Sequence, residues 1–406
     1  MLGWEFPPIK SGGLGVASKA LAEAVARQNV ALTFVLPSFI GKKITEKLPF
    51  DIAFNSKKIN FKILQKIKTT IYSPYISENE YENFVQKWNT DEPNDSAEKE
   101  IYGKNLFAEI ERYAVEVENL ELAEKFDVIH THDWITCPAA IRLKNRLGIP
   151  LVVHVHATEF DRTGGNFNPE VFKIEKESWM AADKLIAVSN YTKSIVVEHY
   201  GIDPAKIEVV HNGKDDFVPT VNKKYMCRSD KKTVLFLGRL TIQKGPDWFI
   251  KVAEKVLQKR KDVQFLVAGT GDMMPKIIDE IVAKGFHKDV FCMGFLGKDE
   301  CDTVFSNSDV FVMPSVSEPF GLVALEAAQR GCAVILSSQS GAKEVLANSL
   351  QADFWDIDKM ANHILASLEY PALKKTLVAE ANREIENLTW DRQAQKTVGI
   401  YEQLVK

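Results

Sequence analysis

Short apolar runs alternate with amphipathic stretches along most of the chain, the pattern of parallel strands joined by helices. In the first half A-L-T-F-V-L, F-D-V-I-H, L-V-V-H-V-H and K-L-I-A-V-S read as strands. A second series starts at T-V-L-F-L-G and runs through V-Q-F-L-V-A-G, V-F-C-M-G and V-F-V-M-P to A-V-I-L-S. The segment Val16–Arg27 puts Val16, Ala20, Leu21, Ala24 and Val25 on one helix face, which is expected to lie on the sheet. Between the two series, residues 219–232 are polar, lysine-rich and without periodicity, so they read as a linker. The prediction is α/β: two doubly wound, Rossmann-like domains in tandem, with a ligand cleft between them at the carboxyl ends of the strands.

Two stretches break the rhythm. Lysines dominate 41–68 and acidic residues 78–124, with D-E-P-N-D-S as an exposed loop, so about 41–124 reads as an insertion with solvated, charged faces. The end of the chain, T-W-D-R-Q-A-Q-K-T-V-G-I-Y-E-Q-L, is an amphipathic helix with Trp390 and Tyr401 as anchors.

The densest chemistry lies in E-P-F-G-L-V-A-L-E, from Glu318 to Glu326, directly after the strand ending at Met313. Gly321 and Leu322 fall at a helix N-terminus, where free backbone N–H groups suit a phosphate. Glu318 precedes that helix and Glu326 lies about one turn into it, so the pair can border one cleft. On another strand-end loop, Arg239 and Lys244 place two cations five residues apart, able to clamp two phosphate groups as a fork and a point charge. Gly12 and Gly13 form a further glycine turn before a helix, open to close backbone approach.

Composition narrows the partners. The chain has 406 residues, 45% hydrophobic, with a formal net charge of −4, which gives no reason to expect nucleic acid or an anionic membrane. No apolar run approaches the about 20 residues of a membrane span, so no stable membrane insertion is expected. Five scattered cysteines (Cys137, Cys227, Cys292, Cys301, Cys332) form no C-x-x-C pair and read as thiols in a reducing cytoplasm. His130, His132 and Asp133 in I-H-T-H-D-W, with His154 and His156 in L-V-V-H-V-H, raise a binuclear metal site. H-x-H-D lacks the further ligands such sites use, so no metal is expected, and His154 reads as core.

The E-P-F-G-L-V-x-x-E-A box resembles the donor-binding signature of retaining glycosyltransferases of family 4, which have the GT-B fold. Nearly the whole chain shares in the resemblance, through K-S-G-G-L-G-V, V-H-A-T-E-F, V-H-N-G, G-R-L-T-I-Q-K-G and A-G-T-G-D in that order. It implies an acceptor-side domain over 1–218, a nucleotide-sugar-binding domain over 219–385, and a terminal helix, 386–406, that crosses back to the first domain. Asn212 and Gly213 resemble the family's interdomain hinge. The implied roles put Lys10, Gly12, Gly13, Arg239 and Lys244 on the donor diphosphate, with Gly321 and Leu322 behind it. Glu326 takes the ribose, Glu318 and His156 the transferred sugar, and Gly271 and Met293 line the base pocket. His132, Asp133 and Trp134 shape the acceptor side, with the indole as a sugar platform or, almost equally, as part of a structural turn. In relatives a full apolar strand precedes W-E-F-P-P, whereas only Met1 and Leu2 precede Gly3 here, so a start upstream of Met1 is expected.

K-S-G-G-L-G-V and H-T-H-D-W are similar to motifs of glycogen and starch synthases. They imply a hexosyltransferase that moves glucose from UDP- or ADP-glucose to an α-glucan, needing no cofactor beyond the donor. The chain carries E-P-F-G-L where those synthases have E-P-C-G-L, and Ser340-Gly341-Ala342 where they have T-G-G. The alternatives are a family-4 glycosyl- or mannosyltransferase with a lipid-linked or small acceptor, a nucleotide-sugar epimerase, and a non-catalytic binding protein.

Overall fold

The computed structural model describes residues 1–7, 12–39, 61–69, 104–122, 125–215 and 230–405. The chain divides into two compact units. The first comprises Met1–Thr158, Asn168–Gly213 and Thr389–Lys406, and the second Glu159–Phe167 and Lys214–Leu388.

In the first unit β1 (Leu32–Phe39) pairs in parallel with β2 (Phe61–Thr69). The strands β3 (Ile129–His132), β4 (Leu151–Val155), β5 (Lys184–Ala187) and β6 (Ile207–Val209) form a second parallel set in that order. Leu2 joins them, making parallel bridges to Val35 of β1 and Thr131 of β3. Leu2 N donates to His130 O at 2.8 Å and His132 N to Leu2 O at 3.1 Å, while Gly3 N donates to Val35 O at 3.1 Å. One bridging residue thus supplies both neighbours with partners they would otherwise lack in a buried setting.

Part of the expected insertion belongs to this unit's regular architecture. Within 41–124, β2 extends the sheet and Lys104–Glu118 forms a helix packed on the helix Cys137–Leu147. Its acidic face hides an apolar stripe, Leu106, Ile110, Tyr113 and Val117, all buried at helical spacing. The solvated-insertion reading is corrected for this helix. Most of the remaining stretch lies outside the described residues, as do D-E-P-N-D-S, most of 219–232 and Lys10.

The first helix runs Gly13–Ala26 and buries Ala17, Leu21, Ala24 and Val25, whereas Val16 is 37% exposed and lies off the expected face. The helix Trp390–Leu404 packs against it, with an Arg27–Asp391 ion pair at 2.7 Å, and belongs to the first unit.

The second unit holds β7 (Lys232–Leu237), β8 (Val263–Ala268), β9 (Val290–Gly294), β10 (Val310–Met313), β11 (Ala333–Ser337) and β12 (Leu350–Ala352). All pairs are parallel, in the order β9-β8-β7-β10-β11-β12. Every residue of β8, β10 and β11 is buried, as expected of strands covered on both faces. Helices Pro246–Lys259 and Ile357–Glu369 pack together against this sheet, as do Leu322–Gln329 and Pro371–Ile385. The strand order reverses between β7 and β10, and ligands bind such sheets beyond the carboxyl ends of the strands at that point. Among the described residues no helix is long and apolar enough to cross a membrane.

Candidate active site

The reversal point of the second unit gathers most of the donor residues expected from sequence. Arg239 and Lys244 lie on the loop leaving β7, and Glu318 lies on the loop leaving β10. The two loops meet through an ion pair: Lys244 Nζ lies 2.6 Å from Glu318 Oε2, with the carboxylate side chain 6% exposed. Ser315, which the sequence reading did not single out, donates to the same oxygen at 3.2 Å. The main chain of Glu318 is fixed on both sides, its N–H donating to Gln339 O and its carbonyl accepting from Gly341 N, each at 2.9 Å. Arg239 is exposed.

Glycines set the spacing of these loops. Gly321, with φ of 97°, caps the helix Leu322–Gln329, and a Cβ there would lie 2.9 Å from the Met313 methyl and 3.2 Å from Glu318 Cγ. The G-T-G-D turn after β8 lies against the Arg239 loop, with Leu240 N donating to Thr270 O at 2.8 Å and Met273 N to Leu240 O at 2.9 Å. Gly271 approaches so closely that a Cβ would fall 2.4 Å from Leu240 O. Gly269 N donates to Gly294 O at 2.7 Å, which brings the end of β9 into the same cluster, next to Met293 at 38% exposure. Gly269 itself has a φ of 128°, and its Cβ would sit 1.9 Å from Gly238 O, a backbone atom that cannot turn aside. Gly269→Ala should therefore destabilise the second unit by at least ~2 kcal/mol in urea unfolding, from backbone strain and the forced loop shift. An unchanged midpoint would show that these loops yield.

Glu326 lies on the helix Leu322–Gln329 and is half-buried. Burial pushes its carboxyl up to about 7, against the pull of Arg330, with Asp215 and Asp302 adding to the rise. Arg330 is itself held by Asp302, Nε to Oδ1 at 2.8 Å, and donates to Glu326 O at 3.0 Å. Glu326 therefore exchanges its proton near neutrality, while Glu318 is already paired with a cation.

In the first unit Gly12 caps the first helix and its N–H donates to Glu5 Oε2 at 3.1 Å. An added Cβ at Gly13 would meet nothing within 4 Å, so packing alone does not demand a glycine there. Asp133, just after β3, has a φ of 59° and a ψ of 174°, a region that costs a non-glycine residue ~1–3 kcal/mol. The strain is offset by its carboxylate, which accepts from His156 N at 2.7 Å and Ala157 N at 3.3 Å. Asp133 thereby fixes the main chain at His156, whose Nε2 lies 3.0 Å from His132 Nδ1. Burial holds the His156 imidazole below its ordinary range, with Asp133 opposing.

Trp134 is 2% exposed, against Phe107 at 6.2 Å between ring centroids, so its indole is core and not a sugar platform. His132 and Asp133, at 1% and 3%, are buried too, and the structural-turn alternative describes H-T-H-D-W better. At the end of this unit Gly213 leaves no room for a Cβ, which would fall 2.5 Å from Trp390 N.

The sequence reading also missed Glu159–Phe167, which belongs to the second unit. Asp161, fully buried, accepts a hydrogen bond from Ser317 Oγ, and Arg162 pairs with Glu159 at 3.3 Å. The run T-G-G-N in this segment was the available signal, marking a break in the pattern after β4.

Comparison with known proteins assigns the two halves. The family model described as glycosyl transferases group 1 matches residues 219–384, and that described as glycosyltransferase family 4 matches residues 93–216. An uncharacterised glycosyltransferase of Methanocaldococcus jannaschii is 26% identical, over 99% of this chain and 97% of that protein. A glycogen synthase of Mycobacterium tuberculosis is 28% identical over 68% of each chain. Among solved structures, the Anabaena protein HepE in complex with UDP and glucose has a TM-score of 0.70 at 15% identity, covering 98% of each chain, a likeness of fold. Two matched models, covering 93–216 and 219–384, with a relative along nearly the whole length, place the chain among the family-4-like glycosyltransferases of the GT-B fold.

Proposed function

We propose that this glycosyltransferase moves glucose from UDP- or ADP-glucose to the non-reducing end of an α-glucan with retention of configuration. The observation that carries the donor half is the Lys244–Glu318 pair at the reversal point of the second sheet, with Arg239 on the same loop. Departure of a nucleoside diphosphate builds negative charge that fixed cations and helix N–H groups can meet. Arg239 and Lys244 take that charge, supported by Gly321 and Leu322 and by Lys10, Gly12 and Gly13. Glu326 accepts from the ribose hydroxyls, and Gly271 and Met293 border the base. Glu318 and His156 hold the sugar, and the leaving phosphate oxygen takes the acceptor's proton on the same face. In this reading residues 1–218 serve the acceptor, 219–385 the donor, and 386–406 belong with the former, in a cytoplasmic protein.

The glucan acceptor rests on K-S-G-G-L-G-V and H-T-H-D-W and on the similarity to a glycogen synthase. The test is a matrix of UDP-, ADP- and GDP-sugars against glycogen, maltose and small or lipid-linked acceptors. Radiolabelled glucose is expected in amylase-sensitive glycogen, with α linkages by proton NMR. Transfer only to a lipid-linked or small acceptor, or only from GDP-mannose, would overturn the glucan reading and leave the donor machinery intact.

A further inference from the structure

The common face of β3 and β4 carries four imidazoles. Strand register puts three of them there: His132 stands opposite His154, with His130 two residues back on β3, and His156 follows just past the end of β4. Ring centroids are separated by 4.6 Å for His130–His132, 5.6 Å for His132–His154 and 5.4 Å for His130–His154. None of these three residues is more than 2% exposed. Each imidazole in its uncharged form has one nitrogen lone pair to give.

The outer nitrogens of two rings are already committed. His130 Nδ1 bonds the Tyr401 hydroxyl, and His132 Nδ1 bonds His156 Nε2. The inner nitrogens are not: Nε2 of His130, Nε2 of His132 and both ring nitrogens of His154 are buried without a hydrogen-bond partner. Ligand atoms of His130, His132 and His154 all lie within 4.8 Å of one another. A fold rarely keeps several unpartnered buried nitrogens together unless something occupies the space between them.

We propose that His130, His132 and His154 form a three-histidine site for one borderline divalent transition-metal ion of the Zn²⁺ type. Imidazole is the ligand such ions share, and among the described residues the ligand group holds no carboxylate for a hard ion such as Mg²⁺, while the nearby Asp133 accepts from the main chain of His156 and Ala157. A Zn–N bond of about 2.0–2.1 Å would draw the three nitrogens inward by roughly an ångström each, within reach of small ring rotations. The outer bonds from Tyr401 and His156 are those that orient histidine ligands and fix which nitrogen keeps its proton. The proposal revises the expectation of no metal and of His154 as mere core: H-x-H-D offers two imidazoles, and His154 supplies the third across the strand pair.

The test uses the untagged 406-residue chain, expressed in medium supplemented with zinc or cobalt, dialysed against a weak chelator and assayed for metal per chain. One ion per chain is expected, with the intense visible absorption of four-coordinate cobalt and a higher melting temperature than the metal-free protein. His154→Leu and, separately, His130→Phe fill the space with apolar atoms and should abolish both the metal and the thermal increment, with folding checked by circular dichroism. No bound ion in the wild-type protein, a six-coordinate cobalt spectrum, or full metal content in a folded His154→Leu variant would each overturn the site. The wild-type metal count and spectrum decide the matter should neither variant fold.

Discussion

Lys244→Ala is expected to lower turnover by ~100-fold or more, because a fixed cation facing the leaving diphosphate acts mainly as charge develops in the transition state. The ion pair with Glu318 complicates the reading of that variant. Removing Lys244 also leaves Glu318, 5% exposed, with Ser315 as its remaining side-chain partner in the second sheet's crevice. Some of the loss could therefore come from an uncompensated carboxylate beside the phosphates. Affinity for the free nucleoside diphosphate in Lys244→Ala and in Lys244→Ala/Glu318→Gln separates the two causes, because Glu318→Gln lowers turnover by itself. If Lys244 acts on the diphosphate, affinity falls in both variants. Affinity restored in the double variant would assign the loss to the orphaned carboxylate, and near-normal turnover in the single variant would remove the clamp from the mechanism.

The two glutamates, Glu318 on the loop after β10 and Glu326 on the helix that follows, should fail in different ways. Glu326→Gln should weaken donor and free nucleoside diphosphate alike, by ~1–3 kcal/mol for a charge-assisted bond to the ribose. Its carboxyl, pushed up to about 7 by burial, carries its proton below that pH and accepts poorly from a hydroxyl. Diphosphate affinity should thus rise as pH rises through about 7, and Glu326→Gln should flatten that part of the profile. Glu318→Gln should leave free diphosphate binding unchanged or slightly tighter, since Lys244 is released from its partner, while turnover falls steeply. Calorimetry across pH, set beside turnover, distinguishes the roles. Equal losses of diphosphate affinity in both variants would end the division of labour.

Much of the architecture was legible because strands covered on both faces are continuous apolar runs, and β7 to β11 and β3 to β5 announce themselves that way. What escaped is what such runs cannot report. β2 carries lysines and β12 is three residues long, and the helix Lys104–Glu118 shows an acidic face that masks its buried stripe. In the candidate site, Arg239, Lys244, Glu318 and Gly321 could be proposed from sequence because their loops carry compact motifs. The direct pairing of Lys244 with Glu318 could not, since it spans 74 positions in sequence. Trp134 misled for a related reason: an indole after a strand has the same one-letter signature whether it faces a sugar or the core, and only its 2% exposure decides.

The second unit is not a contiguous stretch of sequence, and that bears on anyone who cuts or exchanges it. A fragment spanning 214–388 would lack Glu159–Phe167, taking from Ser317 the partner Asp161 and baring Ile242 and Val316, which a Cβ added at Gly164 would meet at 3.9 Å. A chimaera made to transplant donor preference has the same need: the short strap must travel with the larger piece, or the loops that bear Lys244 and Glu318 are grafted without their brace.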